Sequence, residues 1–399
     1  MMNRYQKIGV AAVLFLMSLG SSNVMADAVT DWNQRADGIV VNANIGPLPA
    51  ERALAIVQTS VYEAVNAITQ RYPISDVNLP AASGASIEAA VATANRAALT
   101  KLVPSQQAEI DNAYQSALTA IAEEAAAAVL ALRSDDGATD GESYRPYTKA
   151  GVYVPTVLPE APQWMARKPW LMAQPAQFRP GPPPELSSEL WARDFNEVKA
   201  LGSKKSQQRN AEQTEIARFW EEVMPPIYHG IVRSVANMPG REITQNARLF
   251  AAVTQASDDA LIAVFDAKYH YGFWRPVTAI RNGDIDGNEA TRAGSILGAL
   301  YRYTDASRIP VRTLYCFRSS GHGTAGRNRR WPNTGINKTI SKAAGGVARS
   351  WVKLDDFMQE VANARIYDGV HYRNSGKVGS EMGKQVAQLA AKKYLLRSK

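Results

Sequence analysis

Apolar and small residues recur at helical spacing along most of the chain. Over residues 49–67, Ala53, Ile56, Val57, Ser60, Val61, Ala64 and Val65 fall on one face, with Ile68 just beyond. That period predicts an amphipathic helix. Residues 86–102 predict a second helix, stopped by Pro104. Residues 105–132 predict a third, long and alanine-rich, with Ser105 as N-cap. Its small face allows close helix approach, as in a packed bundle. Helical periodicity returns over residues 186–201, 206–223 and 242–268, and again over 355–367 and 379–395. Between the two sets, residues 134–184 change character. Asp135-Asp136-Gly137 is a turn, and prolines then recur up to Arg179-Pro180-Gly181-Pro182-Pro183-Pro184. No helix survives that density of proline. This stretch is expected to wrap the surface irregularly, anchored by Trp164, Trp170 and Phe178. Neither an internal repeat nor a run of alternating strands is visible. The expected fold is all-α, a helical bundle core of two packed helix-bundle halves. These are residues 27–133 and 186–399, joined by the Pro-rich irregular connection 134–185.

The N-terminus adds an address. Arg4 and Lys7 precede an apolar run over residues 8–19, and Val24-Met25-Ala26 offers a small-residue cleavage site. Residues 1–26 therefore read as a secretory signal peptide, with an apolar run too short for a comfortable membrane span. An exported protein, periplasmic or extracellular, is expected, without stable membrane insertion. Cys316 is the single cysteine, so no disulfide can form within the chain. The formal net charge of +8 invites a nucleic-acid partner. Its distribution argues against one: nine cationic residues against Asp305 alone lie in residues 292–341, and the rest is neutral overall. Phosphate-binding GxxxxGK, HExxH and CxxC motifs are absent.

Candidate chemistry centres on Lys268-Tyr269-His270-Tyr271-Gly272-Phe273-Trp274-Arg275-Pro276. Seven residues are almost two helical turns, which would put Lys268 and Arg275 on nearly the same face. Pro276 places Arg275 at the helix end. Two cations among aromatic rings form a candidate oxyanion clamp; the alternative is a solvated pair at a helix terminus. Downstream come Ser319-Ser320-Gly321-His322 and Ala364-Arg365-Ile366-Tyr367-Asp368-Gly369-Val370-His371-Tyr372-Arg373. An oxyanion site needs fixed cations, neutral donors and a histidine as acid/base or nucleophile. Lys268, Arg275 and Arg365 supply candidates for the first. Ser320 and Gly321 supply the second, and His322 and His371 the third. Gly369 can end the preceding helix, leaving His371 beyond the turn. Of the other two histidines, His270 is expected to be structural and His229 to lie in a loop or in packing.

Lys-x6-Arg-Pro, Ser-Gly-His and Arg-x3-Gly-x-His together resemble the three-part signature of the vanadium-dependent haloperoxidase and type 2 phosphatidic acid phosphatase superfamily. Phe273-Trp274-Arg275-Pro276, the run after Gly369, and Val61-Tyr62-Glu63-Ala64-Val65-Asn66-Ala67 look closer to the haloperoxidase branch. The resemblance implies a helical fold and vanadate bound through His371 Nε2, with Lys268, Arg275 and Arg365 neutralising its oxygens. Ser320 and the Gly321 N–H would add hydrogen bonds, and His322 would be the acid/base. The implied activity is peroxide-driven oxidation of halide to hypohalous acid, with peroxide, halide and an organic acceptor as small-molecule partners. In the phosphatase branch the same pocket holds phosphate without metal. The counterpart of His371 is then phosphorylated and that of His322 protonates a phosphomonoester's leaving group. An inactive oxyanion-binding relative is the third alternative.

The second motif departs from the family pattern. The expected proline-aromatic lead-in and small-residue helix are replaced by Arg318-Ser319-Ser320-Gly321-His322 and Gly326-Arg327-Asn328-Arg329-Arg330-Trp331-Pro332. Consecutive polar residues followed by proline make a poor core helix. Residues 292–341 hold all the excess charge and the only cysteine. A one-base shift of reading frame across this segment accounts for both. A back-translation shifted in that way opens a Pro-rich lead-in, a Tyr-Pro pair, a histidine in a small-residue motif and an apolar helix. In that case Ser320-Gly321-His322 is a chance match, and the enzyme's activity depends on which segment is made.

Overall fold

The structure is a computed structural model that describes residues 27–73, 75, 77–114, 120–156, 158–222, 225–282 and 338–394. The described residues contain twelve α-helices and one short hairpin, besides 3-10 turns and irregular connections. The N-terminal helices are α1 (Ala28–Asn42), α2 (Pro47–Thr69), α3 (Ile87–Leu102), α4 (Gln107–Tyr114) and α5 (Ala120–Leu132). After the proline-rich connection come α6 (Glu189–Leu201), α7 (Ala211–Phe219), α8 (Pro226–Ala236), α9 (Ile243–Tyr271) and α10 (Pro276–Asn282). Strands β1 (Lys338–Ser341) and β2 (Val347–Ser350) precede α11 (Leu354–Tyr367) and α12 (Arg373–Tyr394).

Helix α9 is the axis of the fold. It has 29 residues and is buried on nearly every face from Thr244 to Asp266. A helix buried all round is a core helix rather than an amphipathic surface one. Its alanines at 247, 251, 252, 256, 260 and 263 are all within 1% of complete burial. Such small side chains let α2, itself buried from Ala53 to Ala67, lie close against it. Helices α3 and α5 cover the far side of α2, and α12 packs on the C-terminal part of α9. Several helix starts carry the expected polar caps. Ser86 accepts from Ala89 N, Ser188 from Trp191 N, and Asn210 forms a capping box with Gln213.

Local sequence rules fail at identifiable places. The expected long helix over 105–132 is a single 3-10 turn (Pro104–Gln106), then α4 and α5, with 115–119 outside the described residues. Ser105 lies inside that turn and caps nothing, because Pro104 already occupies the first position. Helix α7 is shorter than residues 206–223, since Ser206 folds into a local turn, its hydroxyl accepting from Gln208 N and Arg209 N. Helices α1, α8 and α10 were not expected. Helix α8 starts at Pro226, where a missing N–H costs nothing. It carries His229, which is therefore helical and buried, with Nδ1 2.6 Å from Asp37 Oδ1. The hairpin is also unexpected. Its strands pair antiparallel from Lys338↔Ser350 to Ser341↔Val347, and each has only four residues, too few for alternation to stand out in a charged segment.

The proline-rich connection is irregular apart from two 3-10 turns, and it is pinned along α9. Arg167 is fully buried and donates to both Asp258 oxygens at 2.7 and 3.0 Å. Asp259 accepts the N–H groups of Trp170, Leu171 and Met172 at 2.6–2.9 Å. Arg179 grips both oxygens of Asp266 at 2.7 and 2.6 Å. Asp258 and Asp266 are eight residues apart, so the strap follows one side of α9 towards its C-terminus. Trp164 is buried, and Trp170 Nε1 donates to Asp258. At the strap's start, Asp136 Oδ2 takes hydrogen bonds from Arg52, Arg133 and Arg167. Burial alone would raise the Asp136 carboxyl; the surrounding guanidiniums hold it down at about 2.

Candidate active site

The strap and α9 meet at the stretch that carries the first motif. Helix α9 stops at Tyr271 because Gly272 takes φ 52°, in the left-handed region, with its N–H on the Lys268 carbonyl at 3.0 Å. Phe273 then pairs antiparallel with Val152 of the strap, through Trp274 N to Gly151 O and Tyr153 N to Gly272 O. Lys268 and Arg275 therefore do not share one helix face, as their seven-residue spacing predicted. Lys268 sits in the last turn of α9, and Arg275 follows the bridge immediately before α10. The positive-φ glycine outweighs helical periodicity here.

The two cations still converge. Lys268, Arg275 and His371 line one cavity of about 210 Å³. Its walls are largely apolar, with Pro182, Pro183 and Pro184 of the strap facing Trp191, Phe273 and Met382. Lys268 Nζ donates to Tyr269 Oη at 3.3 Å and lies over the Phe265, Tyr269 and Tyr153 rings at 4.6, 4.6 and 5.1 Å. Those rings hold the ammonium by cation–π attraction. Burial pushes the Tyr269 phenol well above its usual range, so it stays protonated and donates to the Glu160 carbonyl at 2.5 Å. His270 is exposed, touches Tyr271 edge-on and is not among the lining residues.

The third motif is delivered by a helix end. Helix α11 closes on Gly369 at φ 74°, and the Val370 and His371 N–H groups both bond the Arg365 carbonyl, at 3.0 and 3.2 Å. His371 is 5% exposed. Helix α6 clamps the residues just beyond it. Glu197 takes bidentate bonds from Arg373 at 2.6–2.9 Å, and Asp194 accepts from Asn374 N at 2.6 Å. Trp191 stacks on Trp274 and meets Phe273 and Tyr372 edge-on. It thus ties the Arg275 segment to the His371 segment. Trp191, Asp194 and Glu197 were missed in the sequence. Their three-residue spacing on one helix face was the available signal.

Arg365 is placed differently. It is 5% exposed and is not among the residues lining the cavity. Its Nη1 donates to the Trp220 carbonyl at 2.9 Å and lies 3.7 Å from Asp368 Oδ2. Its Nη2 is buried and has no hydrogen-bond acceptor among the described residues. Burial raises the Asp368 carboxyl to about 6, with Arg365 pulling against that rise and Glu221 adding to it. Ser320, Gly321 and His322 lie outside the described residues, as do nearly all of 292–341 and the signal-like residues 1–26. Among the described residues, no group of three or more His, Cys, Asp or Glu is arranged to hold a metal ion, and no helix is long and apolar enough to cross a membrane.

Residues 248–298 and 312–397 match the family model of the VCPO second helical-bundle domain, and all five cationic and histidine candidates, Lys268, Arg275, His322, Arg365 and His371, fall within those ranges. No curated protein sequence matches the chain. Among solved structures, a bacterial vanadium-dependent iodoperoxidase aligns with TM-score 0.70 and 20% identity, over 93% of this chain and 97% of that one. An apo-type bacterial vanadium-dependent chloroperoxidase aligns with TM-score 0.68 and 17% identity, over 88% and 95% of the two chains. The holo-type form gives TM-score 0.65 at 17% identity, over 88% and 94%. At these identities the likeness is one of fold. The comparisons thus place a helical-bundle domain of the vanadium haloperoxidase type in the C-terminal part of this chain, within a fold shared with bacterial vanadium haloperoxidases.

Proposed function

We propose that this protein is an exported, vanadate-dependent haloperoxidase that uses hydrogen peroxide to oxidise halide. One observation carries the proposal. Lys268 and Arg275 from one motif and His371 from another, about a hundred residues on, line the same cavity. Two cations and an imidazole suit a tetrahedral oxyanion, which needs charge neutralisation on its oxygens and one nitrogen donor. Vanadate, when bound, supplies the Lewis-acid centre that activates peroxide towards halide.

The chain's own residues do the rest. His371 offers the imidazole nitrogen, and its backbone bond to Arg365 O fixes where the ring emerges. Lys268 is held by its aromatic surround, so little side-chain entropy remains to be lost on binding. Arg275 is fixed from behind by the strap bridge at Phe273. Arg365 is assigned as the third cation, and its Nη2, which has no acceptor among the described residues, is the kind of buried donor that an oxyanion satisfies. Ser320, Gly321 and His322 are assigned by motif as two further donors and the acid/base. The largely apolar walls lower the local dielectric and so strengthen the charge interactions inside.

The test measures iodide and bromide oxidation by peroxide with and without added vanadate, beside hydrolysis of a phosphomonoester. Halide oxidation that requires vanadate is expected. Vanadate-inhibited hydrolysis without halide oxidation would instead mark a phosphatase, and oxyanion binding with neither activity an inactive relative. His371→Ala should abolish both vanadate binding and oxidation; binding retained by the folded variant would remove His371 from the site.

A further inference from the structure

Asp368 is a carboxylate that the proposed chemistry does not use. It caps the C-terminal end of α11, three residues after Arg365 and three before His371, and is 7% exposed. Its Oδ2 stands 3.7 Å from Arg365 Nη1, too far for a hydrogen bond but within strong Coulomb range at this burial. The same Nη1 donates to the Trp220 carbonyl, and Nη2 has no acceptor among the described residues. Arg365 is thus turned onto an internal anion and a carbonyl, and it does not line the cavity where Lys268, Arg275 and His371 meet. The neighbourhood is closed on itself: Arg209 bonds the Leu201 and Tyr367 carbonyls, and Glu221 interacts with both arginines. A buried guanidinium with a built-in carboxylate already has part of its charge answered.

We infer that Asp368 is a positioning residue that holds Arg365 as its counter-ion and so weakens the grip of the site on tetrahedral oxyanions. An oxyanion entering the cavity has to compete with Asp368 for the guanidinium, and it also meets the negative charge of Asp368 itself. Only a ligand with several anionic oxygens draws Arg365 across. The site is thereby biased against weakly charged anions and keeps no more oxyanion affinity than three shared cations allow.

This inference rests on the oxyanion site proposed above. The test uses the full chain and inorganic phosphate as the calorimetric probe, with vanadate as a second one. Asp368→Asn removes the charge and keeps the shape. It should bind phosphate about tenfold more tightly than the unmodified protein. Asp368→Ser, a second way to delete the carboxylate, should do the same. The gain should vanish in an Arg365→Ala background, because Asp368 acts through Arg365. Structural damage would weaken binding, so a gain has no such explanation. Unchanged or weaker binding in both Asp368 variants, with binding by the unmodified chain intact, overturns the role of Asp368 alone. Absence of phosphate and vanadate binding in all three proteins overturns the oxyanion site and this inference together.

Discussion

Three arginines converge on one oxygen of Asp136, and the consequence is a pH dependence with a definite sign. Its folded carboxyl sits at about 2, below the usual 3.8. A depressed carboxyl contributes stability that is complete above pH 4 and is lost as pH falls through about 2. The difference corresponds to about 2 kcal/mol. Asp136→Asn should lower the melting temperature at pH 7, since it leaves Arg52, Arg133 and Arg167 without their shared counter-ion. It should also flatten the fall in melting temperature between pH 4 and 2. Circular-dichroism melts across that range check both, and an unaltered slope would count against the assignment. Single residues were legible in the sequence only where a motif named them. Lys268, Arg275, Arg365 and His371 stand in such motifs. Trp191, Asp194 and Glu197 do not: their three-residue spacing shows only that they share a helix face, while the partners they hold lie 80 or more residues away.

Helix α6 and the turn before His371 meet backbone to backbone. A methyl group on Gly202 would come within 2.4 Å of the Gly369 Cα, and Gly369 holds a positive φ that other residues rarely adopt. Neither glycine can give way to the other. Gly202→Ala should therefore cost about 2–4 kcal/mol and displace the His371 turn. Thermal melting and phosphate binding measured on one preparation should both fall; normal phosphate affinity in a destabilised variant would mean that the turn moves independently of α6. At this scale the long helices were legible because their apolar period is strong. Boundaries were not, wherever a turn residue competed. Gly272 cut α9 before Arg275, Pro104 took the start assigned to Ser105, and paired prolines disguised the start of α8. In each case a proline or glycine backbone preference set the boundary in place of the side-chain period.

Helix α9 touches both helical halves, packing on α2 from one and α12 from the other, while the strap crosses between. A core shared in this way couples the N-terminal and C-terminal helices. Urea unfolding should therefore follow one transition, with tryptophan fluorescence and far-ultraviolet circular dichroism coinciding; two separated transitions would show halves that are independently stable. The helical class of the fold was legible from composition and period, whereas the tight seating of the strap was not. Its proline content announces only the absence of helix, and the carboxylates that receive it lie on another element. The strap also has a temporal consequence. Arg167 and Arg179 bind carboxylates that stand 91 and 87 residues later in the chain. While the polypeptide is being made, neither guanidinium can reach its α9 carboxylate until the second half of α9 has followed it. The proline wall of the cavity, which lies directly after Arg179, is thus fixed to α9 only after that helix, made well behind it, has followed.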